Sequence, residues 1–222
     1  ELFAYINSDD FYEPDAFVTV AHAFRSPERP ELIIGDCIIF DGSLTKRIFK
    51  ARWPDRIDHF LKPFGSIFAQ PAAFWSRNIY ERVRGFDETL HYVLDREFFL
   101  KIALTGTKPL ILEKPLARYR DHAHTKTTQT INFYYESIPL IEKYAGPSQL
   151  NNKDDLLRAC RDEIGYLNVF RQWKHRGRFA GLKEFFKLVI NRPWLLEKRK
   201  ILGQLRRLLS FREENVAELR NV

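Results

Sequence analysis

Residues 2–6, Leu-Phe-Ala-Tyr-Ile, form an apolar run that ends abruptly in Asn7-Ser8-Asp9-Asp10. A short apolar run bounded by polar residues reads as a buried strand, and in open α/β sheets ligands gather just beyond the carboxyl ends of the strands. This one feature therefore predicts a sheet with a crevice at one end, and puts Asp9 and Asp10 at it. The stretch that follows alternates helix and strand patterns. Glu13-Pro14-Asp15 starts a helix, with proline near the first turn and acids at its positive end, running through Phe17, Val20 and Phe24. Residues 32–40 read as a strand, with Asp41-Gly42 as its turn. Residues 66–75 read as extended, 78–83 as a short helix, 94–104 as a longer one and 110–119 as a last strand.

A second, helical regime follows. Residues 131–144, 154–173, 179–190 and 194–209 all carry apolar side chains at helical spacing. The composition changes near Gly146-Pro147-Ser148, where turn residues precede the polar Asn151-Asn152-Lys153-Asp154-Asp155. With 222 residues, 45% of them hydrophobic and 14% aromatic, the chain buries a sizeable core, which excludes a disordered tract. The net charge of +7 is unevenly placed: from Asn151 onward 17 Lys/Arg stand against 9 Asp/Glu, and before it 19 against 20. Met is absent and the sequence starts inside an apparent strand, so a segment of a longer protein is expected. Cys37 and Cys160 lack metal-ligand spacing and read as unpaired thiols of a reducing compartment. No apolar run approaches the roughly 20 residues that span a bilayer.

Three stretches carry chemistry. Asp9 and Asp10, with Asn7 beside them, offer hard oxygen ligands of the kind that hold Mg²⁺ or Mn²⁺ together with a substrate's phosphates. The same residues also suit an Asx turn capping the next helix. In the stretch 85–101, Leu94, Phe98 and Ile102 mark the packed face of a helix, leaving Asp95 in its first turn to reach a cleft. The helix N-terminus favours the ionised carboxylate, as a general base at neutral pH requires, although acids are enriched in first turns for structural reasons too. Glu97 lies about 200° around the helix from Asp95, so the two face different ways. Near the end of the last strand, His122 reads as a metal ligand, with Arg118, Arg120 or Lys126 meeting phosphate oxygens; His124 is the weaker ligand. Gln70 and Trp75 either line an acceptor groove, where an aromatic face stacks on a sugar, or belong to an ordinary half-buried strand.

In this order, these stretches resemble the family-2 glycosyltransferases of the GT-A fold. YINSDD-x-Y-x-P resembles the family's Asp-x-Asp segment, QPAAFW its acceptor-side strand, RGFDETLHYVLDREFFLK its Glu-Asp helix, and LARYRDH-x-x-x-K-T its closing strand and histidine. The resemblance spans residues 1–128. It implies an α/β fold, a partial GT-A (Rossmann-like) mixed sheet, with residues 129–222 as a helical, basic C-terminal extension. It further implies inverting transfer of a sugar from a nucleotide-diphosphate sugar to a hydroxyl of a glycan or lipid-linked acceptor. Asp9, with Asp10, then holds the cation, His122 completes its shell, and Asp95 is the base. The sequence departs from the family pattern at Asn7, where Asp is frequent, at Leu94, where Glu often precedes the catalytic Asp, and at Lys101, where Arg is frequent. The family's base- and ribose-gripping strands lie upstream of the Asp-x-Asp segment, so the segment alone is expected to be incomplete.

Two other classes suit the same residues: a metal-dependent nucleotidyltransferase-like enzyme, since acidic pairs at strand ends serve both chemistries, and a nonenzymatic basic module. Between Arg171 and Arg212, 13 Lys/Arg and 2 acids interleave with Trp, Phe, Leu and Ile. Helices of this composition suit an anionic membrane surface, or pack on neighbours while their cations solvate the outside. A cytoplasmic enzyme, peripheral on the inner face of the cytoplasmic membrane, is expected; no nucleic-acid motif accompanies the charge.

Overall fold

The computed structural model describes residues 1–42, 44–62, 67–122, 130–146 and 152–197. They form two compact units, Glu1–Thr125 and Lys126–Val222.

The first unit is mixed α/β and is organised on one strand, β3 (Leu32–Phe40). Its sequence, LIIGDCIIF, has no polar face, and all but one of its residues are buried, so the strand needs cover on both sides. β5 (Ala73–Ser76) pairs antiparallel with the first half of β3, and β4 (Thr45–Phe49) with the second half. On its other edge β3 runs parallel to β6 (Leu110–Arg120). β1 (Leu2–Ala4) closes one side of the sheet on β5 and β2 (Phe11–Tyr12) the other on β6, giving the order β1-β5-β3-β6-β2. β1, β3 and β6 consequently point the same way, and their carboxyl ends share one edge of the sheet.

Side-chain alternation along β5 assigns the layers. Phe74 meets Tyr12 and Phe17, on the side of α1 (Ala16–Phe24), where Ala16 and Val20 pack with Ile33, Cys37, Ile39, Leu116 and Ala117. Trp75 faces the opposite layer, 5.0 Å from Phe98 in α4 (Leu94–Leu104) and 6.0 Å from Phe99. Tyr80 of α3 (Arg77–Arg82) and the short α2 (Asp58–Leu61) join α4 on that side. Ser76 caps α3, its hydroxyl accepting from the Ile79 N–H at 3.1 Å.

The β3–β6 ladder slips at Gly35, Asp36 and Cys37, where Pro115 lies opposite Asp36. Proline donates no ladder hydrogen bond, so a bulge is where a central strand tolerates it. The buried Asp36 carboxylate turns this irregularity into an anchor. It accepts from Lys50 Nζ at 2.7 Å and from the Ala51 N–H at 3.0 Å, holding the chain that leaves β4.

The second unit is helical, with α5 (Thr130–Tyr144), α6 (Lys153–Arg176) and α7 (Arg178–Asn191), then a 3-10 turn (Pro193–Glu197). α6 and α7 pack as a hairpin on Tyr166, Val169, Phe185, Leu188 and Leu195. One residue, Gly177, separates them at φ +82°, a conformation that glycine adopts at low cost. No helix among the described residues is long and apolar enough to cross a membrane.

The elements differ from the sequence reading in three places. The extended stretch expected at 66–75 is a strand only from Ala73; Gln70–Ala72 is a 3-10 turn with Pro71 near its start, because proline presets the turn's φ. β2, β4 and α2 were not expected, and each is too short or too charged to show a period. Of the helix expected at 194–209, residues up to Glu197 form the 3-10 turn, and the remainder lies outside the described residues.

A Cβ on Gly35 would sit 2.4 Å from Leu116 Cγ and 3.0 Å from the Lys114 carbonyl oxygen. Gly35→Ala should lower stability by about 1–3 kcal/mol in urea unfolding, as overpacking does. Combined with Leu116→Ala, it should cost less than the sum of the two single changes, since the second removes the atoms that the first strikes. Simple additivity would show that the close approach does not govern this position.

Candidate functional site

At the shared carboxyl edge the chain leaving β1 and the chain leaving β6 meet. Asp9 Oδ2 lies 2.9 Å from His122 Nε2, across 113 residues of sequence, and each side chain remains about a third exposed, at 38% and 35%. Asp10 turns inward and is 7% exposed. Its Oδ1 accepts from the Arg120 backbone N–H at 2.9 Å and its Oδ2 from the Asn7 amide at 3.1 Å. The chain of bonds continues outward, because the Tyr5 hydroxyl donates to Asn7 Oδ1 at 2.9 Å. Asn7 is therefore oriented by both neighbours, giving its amide N–H₂ to Asp10 and its oxygen to Tyr5.

Charge effects follow from these contacts. The His122 hydrogen bond holds the Asp9 carboxyl below the usual carboxylate range, with Arg120 adding to it. An ionised carboxylate has no proton to give, so His122 Nε2 is the donor of the pair. Burial pushes Asp10 the other way, against the pull of the Arg120 N–H and the Asn7 amide. Burial also raises Tyr5, and the carboxylates of Asp95 and Asp10 raise it further.

Asp95 is the second residue of α4, partly buried, and its Oδ1 accepts from the Arg96 N–H at 2.7 Å. The Arg96 guanidinium donates to the Lys62 carbonyl. As expected from helical geometry, Glu97 faces elsewhere. It is 1% exposed, lies 2.9 Å from Lys101 Nζ, and Lys101 in turn donates to the Gly85 carbonyl at 2.6 Å.

The cations divide into different tasks. Arg118 is ion-paired to Glu13, which draws it toward the start of α1. Arg120 packs against two rings that touch each other, 5.6 Å from Phe11 and 5.4 Å from Phe40, and its buried Nε has no hydrogen-bond partner among the described residues. Lys126 and His124 lie outside the described residues. Gln70 Nε2 donates to the Tyr5 carbonyl, so the 3-10 turn before β5 is tied to the β1 exit. Trp75 does not line a groove: at 2% exposure it belongs to the aromatic layer beneath α4, with Phe86, Phe98 and Phe99. Its place in β5 directs it into the helix layer, while its neighbour Phe74 takes the α1 side.

Tyr5, Phe11 and Phe40 did not stand out in the sequence reading. Tyr5 had a signal, since it precedes Asn7 by two residues and so shares its side of an extended chain. The two rings against which Arg120 packs come from strands far from it in sequence and had none. Cys37 is a core residue, its thiol pushed up to about 12 by burial.

Among the described residues, no group of three or more His, Cys, Asp and Glu side chains is arranged to hold a metal ion. Of the Asp9–His122 pair, the Asp9 carboxylate is a hard oxygen donor of the kind that suits Mg²⁺ or Mn²⁺, whose remaining positions are commonly filled by water and substrate phosphates. His122 Nε2 carries the proton of the bond to Asp9, so it would join the cation only by giving that proton up. Asp10 has both oxygens engaged within the protein, so of the acidic pair Asp9 is the exposed donor. No protein-family model matches the chain, and no curated protein matches it.

The two adjacent carboxylates should titrate on opposite sides of the ordinary aspartate value in a ¹³C-detected NMR titration, Asp9 below and Asp10 above. Asp9's depressed value contributes stability that is present above its unfolded value and lost as pH falls through the folded one. Asp10's raised value is a cost at neutral pH, relieved as pH falls through its folded value. His122→Ala should bring Asp9 up toward the ordinary range. The stability gap between wild type and variant should then shrink from roughly pH 5 to pH 2. A gap that stays constant over that range would mean that the contact does not couple the two groups.

Proposed function

We propose that this chain carries the catalytic and acceptor side of an inverting glycosyltransferase, which moves a sugar from a nucleotide-diphosphate sugar to an acceptor hydroxyl. The observation that carries the reading is the Asp9–His122 contact. It joins the Asp-x-Asp-like segment and the closing histidine, the two ends of the sequence resemblance, at the carboxyl ends of parallel strands. The third element, Asp95, stands in the first turn of α4, where the resemblance puts the base.

In this reading Asp95 takes the proton of the acceptor hydroxyl as that oxygen bonds to the anomeric carbon from the face opposite the leaving group. The bond from carbon to phosphate oxygen breaks, its electron pair leaving with the nucleoside diphosphate, so the anomeric centre inverts. Asp9, joined by His122 once its Nε2 proton is displaced, would hold a divalent cation, Mg²⁺ or Mn²⁺, which would offset the charge of that diphosphate. Among the described residues Arg120 is the cation best placed to meet phosphate oxygens, since its guanidinium packs against the touching rings of Phe11 and Phe40 and its backbone N–H holds Asp10. Asp10, Asn7 and Tyr5 position the loop that carries Asp9. Gln70 sets the acceptor side by holding the Tyr5 carbonyl. A glycan or lipid-linked acceptor, in cell-envelope or polysaccharide synthesis, and a cytoplasmic location peripheral on the membrane complete the proposal.

The test is a panel of sugar nucleotides assayed with the full-length protein for nucleoside diphosphate release. Release of pyrophosphate instead would replace sugar transfer by nucleotidyl transfer. Asp95→Asn should lower turnover by roughly 10²–10⁴ while donor binding is retained, the usual worth of a general base. Unchanged turnover would remove Asp95 from the chemistry. By calorimetry, Asp9→Ala should abolish the dependence of donor binding on added Mg²⁺ or Mn²⁺; a wild-type metal response in that variant would end the assignment of Asp9 to the cation.

A further inference from the structure

α7 has two unlike faces. Gly181, Phe185 and Leu188 are buried and pack on α6, and this is the face that folds the hairpin. On the other side Phe179 is 87% exposed, Phe186 55% and Ile190 77%. With the exposed Lys183 between them, their spacing of four, three and four residues confines all four to an arc of about 60°. Trp194 and Leu196, in the turn beyond α7, are also exposed. Large apolar side chains gathered on one exposed stripe mark a contact surface.

The charge around the stripe identifies what it meets. From Arg171 to Arg192 there are seven Lys/Arg and one acid, Glu184, whose carboxylate lies 3.7 Å from Lys187 Nζ. Lys174, Arg176, Lys183 and Lys187 are exposed. A second copy of this chain would bring two such cationic faces together, which like-charge repulsion opposes. A nucleic acid uses the cations but leaves the apolar stripe in water. An anionic bilayer surface takes both, the apolar side chains entering the headgroup boundary and the lysines and arginines remaining at the phosphates.

We infer that the outer face of α7, built on Phe179, Lys183, Phe186 and Ile190, is a docking surface for anionic lipid, holding the helix in the plane of the interface. The inference deepens the peripheral location proposed above. Its test contains no nucleotide sugar, so it stands or fails independently of sugar transfer.

The full chain is sedimented with vesicles of phosphatidylcholine alone or with about 30% phosphatidylglycerol, a surface anionic enough to attract basic segments. Binding should be stronger on the anionic vesicles by on the order of tenfold or more, and should fall as NaCl rises from about 0.1 M to about 0.5 M. Phe186→Ser with Ile190→Ser should lose most binding to both vesicles; circular dichroism should stay unchanged, because neither side chain is in the core. Lys183→Glu with Lys187→Glu should remove the preference for anionic lipid. Phe186→Trp should gain fluorescence quenched by brominated acyl chains, which direct insertion alone produces. The inference is overturned by absence of binding, by equal and salt-insensitive binding to the two vesicle types, or by wild-type binding of the serine variant. A dimer that the serine variant dissolves would reassign the stripe to self-association.

Discussion

Asp10 is the interaction on which the site depends. A carboxylate at 7% exposure is costly unless its oxygens are satisfied, and here one oxygen takes the Arg120 backbone N–H and the other the Asn7 amide. The Arg120 bond stitches the exit of β1 to the end of β6, strands that are not neighbours in the sheet, and the Asn7 bond closes the exit loop on itself. With the loop fixed at Asp10, Asp9 is presented at the surface next to His122, two residues beyond Arg120. The buried carboxylate is thus the reason that the exposed one has a defined position.

The same economy appears in the layer beneath α4. Trp75 and Phe98 lie 5.0 Å apart, Phe86 and Phe98 4.3 Å, and Phe68 and Phe99 4.7 Å. Interiors this closely packed resist displacement. A helix seated on such a layer holds its first turn still. Asp95 stands in that turn, its carboxylate accepting from the Arg96 N–H at 2.7 Å.

Much of this was legible in the sequence because its signals are local. The apolar run into Asn7-Ser8-Asp9-Asp10, the helix beginning at Leu94 and the long strands β3 and β6 are set by periodicity and by turn residues. The opposition of Asp95 and Glu97 followed from 3.6 residues per turn. What escaped depends on contacts distant in sequence. Whether Trp75 meets a groove or a helix is decided by which layer covers β5. Asp9 and Asp10 look equivalent in sequence, and only the return of β6 distinguishes them. Arg118 and Arg120 likewise differ by what β2 and α1 bring to them, Glu13 in one case and Phe11 in the other. Two-residue β2 has no period of its own; its pairing with β6 gives it strand character.

The Glu97–Lys101–Gly85 linkage has a mechanical meaning. Lys101 belongs to the second turn of α4, and the carbonyl it holds lies at the head of the segment that leads into that helix, where Arg84 and Gly85 both take positive φ. The segment is therefore fastened at both ends to the same rod, forming a bracket that closes on itself. The bracket makes the lead-in and the start of the helix one piece, seated on the close-packed aromatic layer beneath, so the backbone on which Asp95 stands is set from two directions, by the layer below and by the lead-in ahead of it.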